Sequence, residues 1–170
     1  MKAIQFIMLT VKGMHQAMVN DVKTLTPAQL AWKPAPGANP VGFPFWHTGR
    51  VEDRAVSGWQ KKTPIWGEDK WYEKLGLEAR DYGGGFKDSD VDRAARMPLD
   101  IVNAYVEKVF RNTGIYIQSL DEDKLDFPPN PERPNVTIGA MLGNYIIGHG
   151  WWHLGEIRYI KGMQGMSAGR

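Results

Sequence analysis

The chain of 170 residues contains no cysteine. Disulfides, thiolate-bound metals and cysteine nucleophiles are therefore excluded, and any metal must be held by His, Asp or Glu. A cysteine-free composition suits a reducing compartment, and a cytoplasmic location is the expectation. No run of about 18 apolar residues occurs, so no membrane span is expected. The stretch from Met1 to Leu9 imitates the apolar part of a signal peptide. Gln5 and Thr10 break the run, however, and no small-residue cleavage site follows before Lys12. An excess of one charge is also missing: 21 Lys and Arg stand against 19 Asp and Glu, a net charge of +2. That balance gives no basic face for a nucleic acid. The triplet Gly83-Gly84-Gly85 lacks the following Lys-Ser/Thr of a phosphate loop. Internal repeats and low-complexity segments are absent.

What remains is an ordinary globular composition, 42% hydrophobic and 24% charged. The length suits one domain, residues 1–170, with a sizeable core. Ile4, Ile7, Met8, Val11, Met14, His15, Met18, Val22 and Leu25 recur at helical steps and predict a first helix of about six turns. His15 lies on or beside that stripe, where a core or boundary histidine with a satisfied ring is the expectation. Thr26-Pro27 is the start signal of a short helix. Prolines 34, 36 and 40 make the next stretch a loop. A second long helix is predicted from near Pro44 to about Gln60, with His47 on its buried side. Arg50, Glu52, Asp53 and Arg54 are expected to make surface or helix-end ion pairs. Residues 61–97 form an aromatic, partly helical connection of the kind that carries a lid or substrate contacts.

A third long helix opens at Pro98 and runs to about Leu120. Prolines 128, 129, 131 and 134 keep residues 121–136 irregular. Thr137 caps the fourth helix, predicted to reach about Met163. Its expected inner stripe is Ile138, Met141, Leu142, Tyr145, His149, Trp152, His153, Glu156 and Ile160. Gly139, Gly143, Gly148, Gly150 and Gly155 weaken this helix. Either a neighbouring helix approaches them closely or they make room for Trp151 and Trp152. Four long helices and no convincing strand predict an all-α fold, a four-helix bundle with a long connection between its second and third helices.

The chemistry concentrates in Gly148-His149-Gly150-Trp151-Trp152-His153-Leu154-Gly155-Glu156. Residues four apart share a helix face, so His149 and His153 can bind one ion, and Glu156 continues the stripe. The zinc-protease motif is absent, because Gly150 follows the first histidine where that motif has Glu. Buried imidazoles need partners, which a metal or core hydrogen bonds can supply. His47 is the candidate third ligand. Three imidazoles and an open position describe a catalytic zinc-type site.

His47 early in the second long helix, within Phe45-Trp46-His47-Thr48-Gly49-Arg50, together with His149-x3-His153-Leu-Gly-Glu-Ile, makes the chain resemble the DinB superfamily. The resemblance covers nearly the whole chain in architecture. It implies one divalent metal on His47, His149 and His153, with zinc or nickel foremost and iron or manganese next. It also implies frequent homodimers, and relatives that are thiol-dependent transferases or isomerases using mycothiol, bacillithiol or glutathione. Sulfoxide synthases with a related domain carry His-x3-His-x-Glu. Here two residues separate His153 from Glu156, so the resemblance does not make Glu156 an iron ligand.

The leading functional expectation is a metal-dependent thiol S-transferase or related small-molecule enzyme, with a low-molecular-weight thiol as co-substrate. Glu156 is its candidate catalytic residue, or else supports a ligand or pairs with Arg158 or Lys161. The alternatives are a metal-dependent hydrolase, with Glu156 or His15 as base, and a non-catalytic metal- or ligand-binding bundle closed by His15 or Glu156. A homodimer is expected from Ile146, Ile147, Trp151 and Leu154, which lie off the histidine stripe. The competing cover for that face is the connection, through Trp66, Trp71 and Phe86.

Overall fold

A computed structural model describes residues 1–167. Its elements are helical throughout. Helix α1 spans Ala3–Val22 and the short α2 spans Pro27–Ala31. Thr26 caps α2 through a reciprocal pair: its hydroxyl accepts from the Gln29 backbone, and its own N–H reaches Gln29 Oε1. Helix α3 covers Gly42–Trp59, starting slightly before the expected Pro44. The connection holds three short helices, α4 (Ile65–Glu68), α5 (Trp71–Leu75) and α6 (Asp88–Ala95). Helix α7 spans Leu99–Gln118. A 3-10 turn, Glu122–Asp126, follows in a stretch expected to be irregular; it fits because every proline there lies after it. Thr137 caps α8 (Ile138–Met141) by accepting from the Ala140 N–H, and a π-helical stretch, Leu142–Gly148, leads into α9 (His149–Met163).

Helices α1, α3, α7 and the composite α8–π–α9 form the bundle. Helix α3 packs on both α7 and α9, and α1 packs on the same two. One cluster of buried side chains gathers Met14, Trp46, Trp66, Tyr105, Val106, Leu154 and Ile157. A second, nearer the other end, gathers Val11, Val56, Ile117, Leu142 and Ile146. No helix among the described residues is long and apolar enough to cross a membrane.

One expectation about α3 is overturned. Arg50, Glu52 and Asp53 are not surface residues; they are 2%, 0% and 0% exposed. Asp53 accepts the backbone N–H groups of Ile65 and Trp66, both at 2.9 Å, and so holds the first turn of α4. Tyr105 and Arg50 donate to the same carboxylate. Arg50 also donates Nε to the Asp81 carbonyl at 2.9 Å and lies over the Trp66 ring. Every charge is thus met by hydrogen bonds, the condition for burying it. The connection is pinned along α3, where Trp66 and Phe86 pack on Trp46 and Trp71 packs on Tyr105. They share a core cluster with Leu154 and Ile157 of the fourth bundle helix but leave its Trp151 and Trp152 exposed, at 44% and 75%.

That helix also departs from its expected stripe. A π-turn accommodates more residues than an α-turn, so the face shifts between Met141 and His149. Ile146 and Leu154, expected off the core, are 0% and 1% exposed. Tyr145 and Trp152, expected within it, are 51% and 75% exposed. Of the glycines, Gly150 faces the Met14 side chain of α1. A Cβ there would come within 2.4 Å of the Met14 side chain, so α1 approaches α9 within the same chain.

Candidate metal centre

Helix α3 supplies His47 and the start of α9 supplies His149 and His153, and the packing of α3 on α9 brings them together. His149 Nε2 lies 3.3 Å from His47 Nε2 and 3.2 Å from His153 Nε2. The three side chains offer nitrogens all within 4.8 Å of one another.

The outer nitrogens decide what this convergence means. His47 Nδ1 is 2.5 Å from the Tyr82 carbonyl oxygen. A carbonyl only accepts, so His47 carries its proton on Nδ1 and presents a lone pair at Nε2. His153 Nδ1 is 2.7 Å from Glu156 Oε2. Burial opposes ionisation of Glu156, but the bonds from His153 and from Asn39, whose Nδ2 donates to Oε1 at 2.8 Å, outweigh it and hold its pKa below the usual value. The carboxylate is therefore an acceptor, and His153 also aims a lone pair inward. His149 Nδ1 is buried with no partner. Whichever nitrogen of His149 carries the proton, the cluster retains facing lone pairs or a stranded donor.

Protonation is not the remedy. Burial, reinforced by the neighbouring imidazoles, lowers the His149 pKa to about 3. Burial lowers that of His47 to about 4, against the raising effect of the Tyr82 bond. Both rings are neutral at pH 7, the state a metal ligand requires. Three imidazole nitrogens on one tetrahedral ion, at about 2.0–2.1 Å each, sit about 3.3 Å apart. The two close Nε2 separations match that value and the third pair lies within 4.8 Å, so the donor set is compatible with one divalent ion.

The surroundings hold this geometry. Successive carbonyls of the connection, at Asp81 and Tyr82, accept from Arg50 and His47. Gly83 follows with φ +95°, and a Cβ there would lie 2.5 Å from His47 Nδ1. Only glycine allows the chain so close to the ring. Phe43 stacks on the His47 ring and Trp152 on that of His153. A cavity of about 570 Å³ opens beside His47 and His149, bounded by Val51, Arg54, Trp59 and Tyr145.

His15 lies elsewhere. Its Nε2 is 2.9 Å from Glu52, its ring stacks on Phe110 and it is 8% exposed, the satisfied boundary histidine expected. Arg158 and Lys161 pair with Asp21, not with Glu156. Sequence reasoning missed Asn39, Tyr82 and Gly83. Tyr82 acts through its carbonyl, which no side-chain pattern records, and Asn39 sits in a proline-rich loop. The φ-permissive triplet around Gly83 was the only visible signal.

Fold and site together define a helical bundle with an inward three-histidine centre. The model of the DinB superfamily matches residues 12–157, and the chain belongs to that superfamily. A crystal structure of a conserved protein from Enterococcus faecalis is similar at a TM-score of 0.74 and 23% identity. It covers 95% of this chain and 99% of its own, a likeness of fold. No curated protein matches the chain.

Proposed function

We propose that His47, His149 and His153 hold one divalent metal through their Nε2 atoms, and that the protein is a metal-dependent small-molecule enzyme of the thiol S-transferase kind. The observation that carries the proposal is the fixing of two tautomers, by the Tyr82 carbonyl and the Glu156 carboxylate, so that lone pairs face one point. Bound there, a divalent ion supplies Lewis-acid chemistry and lowers the pKa of a coordinated thiol or water. With three protein donors, positions remain open for small molecules.

Glu156 is a positioning residue in this reading. Both of its oxygens are engaged, one by His153 and one by Asn39, so it acts through the ligand and not on the substrate. The same engagement disfavours the hydrolase reading, which needs a free base beside the open position. His15, bonded to Glu52, is no better placed. A cysteine-free chain must take its sulfur from a small thiol. A second copy of the chain is proposed to meet the exposed Trp152, Tyr159 and Met163 of α9. A solution mass near twice 19.2 kDa supports that, and a mass near 19.2 kDa refutes it.

The test is consumption of a low-molecular-weight thiol in the presence of an electrophile. Glutathione, bacillithiol and mycothiol would each be tried with metal-loaded and chelated protein. Loss of thiol that needs the metal supports the proposal. Turnover unaffected by chelation sinks it, and so does hydrolysis that proceeds without thiol.

A further inference from the structure

Helix α3 carries more than one ligand into the site. His47, Val51, Arg54, Ala55 and Gly58 fall at helical steps along one face. Arg54 stands seven residues beyond His47, about 10 Å along the axis at ~1.5 Å per residue. Its guanidinium lies 3.8 Å from the centroid of the Tyr82 ring. That contact holds the charge on the lining of the 570 Å³ cavity, next to the residue whose carbonyl orients His47.

The cavity does not end there. A second hollow of about 270 Å³ shares Trp59, Met141 and Tyr145 with it and reaches Lys61 and Arg133. The two together form a groove from the histidines outward, apolar along its middle. Three cations line it, Arg54, Lys61 and Arg133, and no acidic side chain does. The chain as a whole is nearly balanced, at 21 basic to 19 acidic residues, so the bias is local. Many other cations pair with carboxylates, among them Lys33, Lys108 and Arg158. None of the three groove cations has such a partner among the described residues.

We infer that this groove binds an anionic small molecule with an apolar or aromatic body, its negative group at Arg54 and its other end toward the histidines. Apolar walls supply area and the unpaired guanidinium supplies a charge-assisted hydrogen bond, the arrangement that fixes orientation in small-molecule sites. Lys61 and Arg133 extend the selection to longer ligands carrying a second negative group. The inference rests on the metal reading only for which end of the ligand reacts. The anion preference stands on the groove itself.

The test is calorimetric titration of metal-free, full-length protein at low salt with three probes of one shape: 4-phenylbutanoate, 4-phenylbutan-1-ol and 4-phenylbutylamine. Chelation removes direct coordination of the carboxylate as an explanation. The acid is expected to bind roughly fivefold or more tighter than the alcohol, and the amine most weakly. Arg54→Ala should abolish the preference for the acid, and Arg54→Glu should turn it toward the amine. Arg54 is exposed, and circular dichroism checks that the variants fold. Equal affinity for the three probes, no binding of the acid, or an undiminished preference in Arg54→Glu overturns the inference. Such a result leaves the metal site untouched. Loss of metal binding would strike the histidines and leave the anion preference standing.

Discussion

Two histidine sites flank α3, one buried and one partly buried, and they satisfy their ring nitrogens differently. On one side His15 meets Glu52 at 2.9 Å, Thr113 donates to the same carboxylate, and Phe110 stacks on the ring. One imidazole meets one carboxylate. A hollow of about 350 Å³ lies beside this ring, yet no second histidine joins it. On the other side three imidazoles turn Nε2 toward one another, and the carboxylate and carbonyl that could satisfy them sit behind, on Nδ1. A buried histidine with its partner in front is structural. Histidines with their partners behind present their lone pairs to one point, the arrangement a metal ion requires.

The comparison can be broken most forcefully at Glu52, which is 0% exposed. Glu52→Ala strands His15 and Thr113 and is expected to cost about 3 kcal/mol or more. Urea denaturation measures it, and the folded variant should still take up one metal per chain. A loss below about 1 kcal/mol would mean that this pair does not hold the structure. On the other side, Glu156→Gln should barely change the denaturation midpoint but weaken metal affinity by about 10- to 100-fold. Competition with a chelating dye reads that shift, and wild-type affinity would show that Glu156 does not orient His153.

Gly83→Ala is a subtler probe. Its φ of +95° and the 2.5 Å approach to His47 Nδ1 leave no room for a methyl group. We expect about tenfold weaker metal binding with little loss of helix content by circular dichroism; unchanged affinity would show that the loop yields freely. A further probe is pH. In the metal-free protein, His47 titrates at about 4 and His149 at about 3, whereas the unfolded chain takes up these protons near 6.5. Below about 6.5 the unfolded state binds more protons, so stability is full above that pH and falls as pH drops toward 4. Denaturation midpoints at pH 7, 6 and 5 should decline in wild type and less steeply in His47→Ala. Equal slopes would contradict the burial of a neutral His47.

Most of the bundle was legible in the sequence because its signals are local. Thr26 and Thr137 cap where their hydroxyls predict, and the stripes of α1 and α7 follow the helical period. The three histidines were legible because two share a helix face and the third sits on another bundle helix. Arg50, Glu52 and Asp53 were misread because a run of mixed charges looks the same whether water or buried polar groups satisfy it. The register of the fourth bundle helix failed at Leu142–Gly148, where a π-turn breaks the 3.6-residue period that placed Trp152 inside. Contacts through the Asp81 and Tyr82 carbonyls leave no mark in side-chain chemistry at all.

The most direct measurement is metal content of purified protein by mass spectrometry, for wild type and for His15→Ala, His47→Ala, His149→Ala and His153→Ala. The account predicts about one divalent ion per chain in wild type and in His15→Ala, and a sharp loss in each of the other three while they remain folded. Full occupancy in His47→Ala, or loss of metal in a folded His15→Ala, would contradict it.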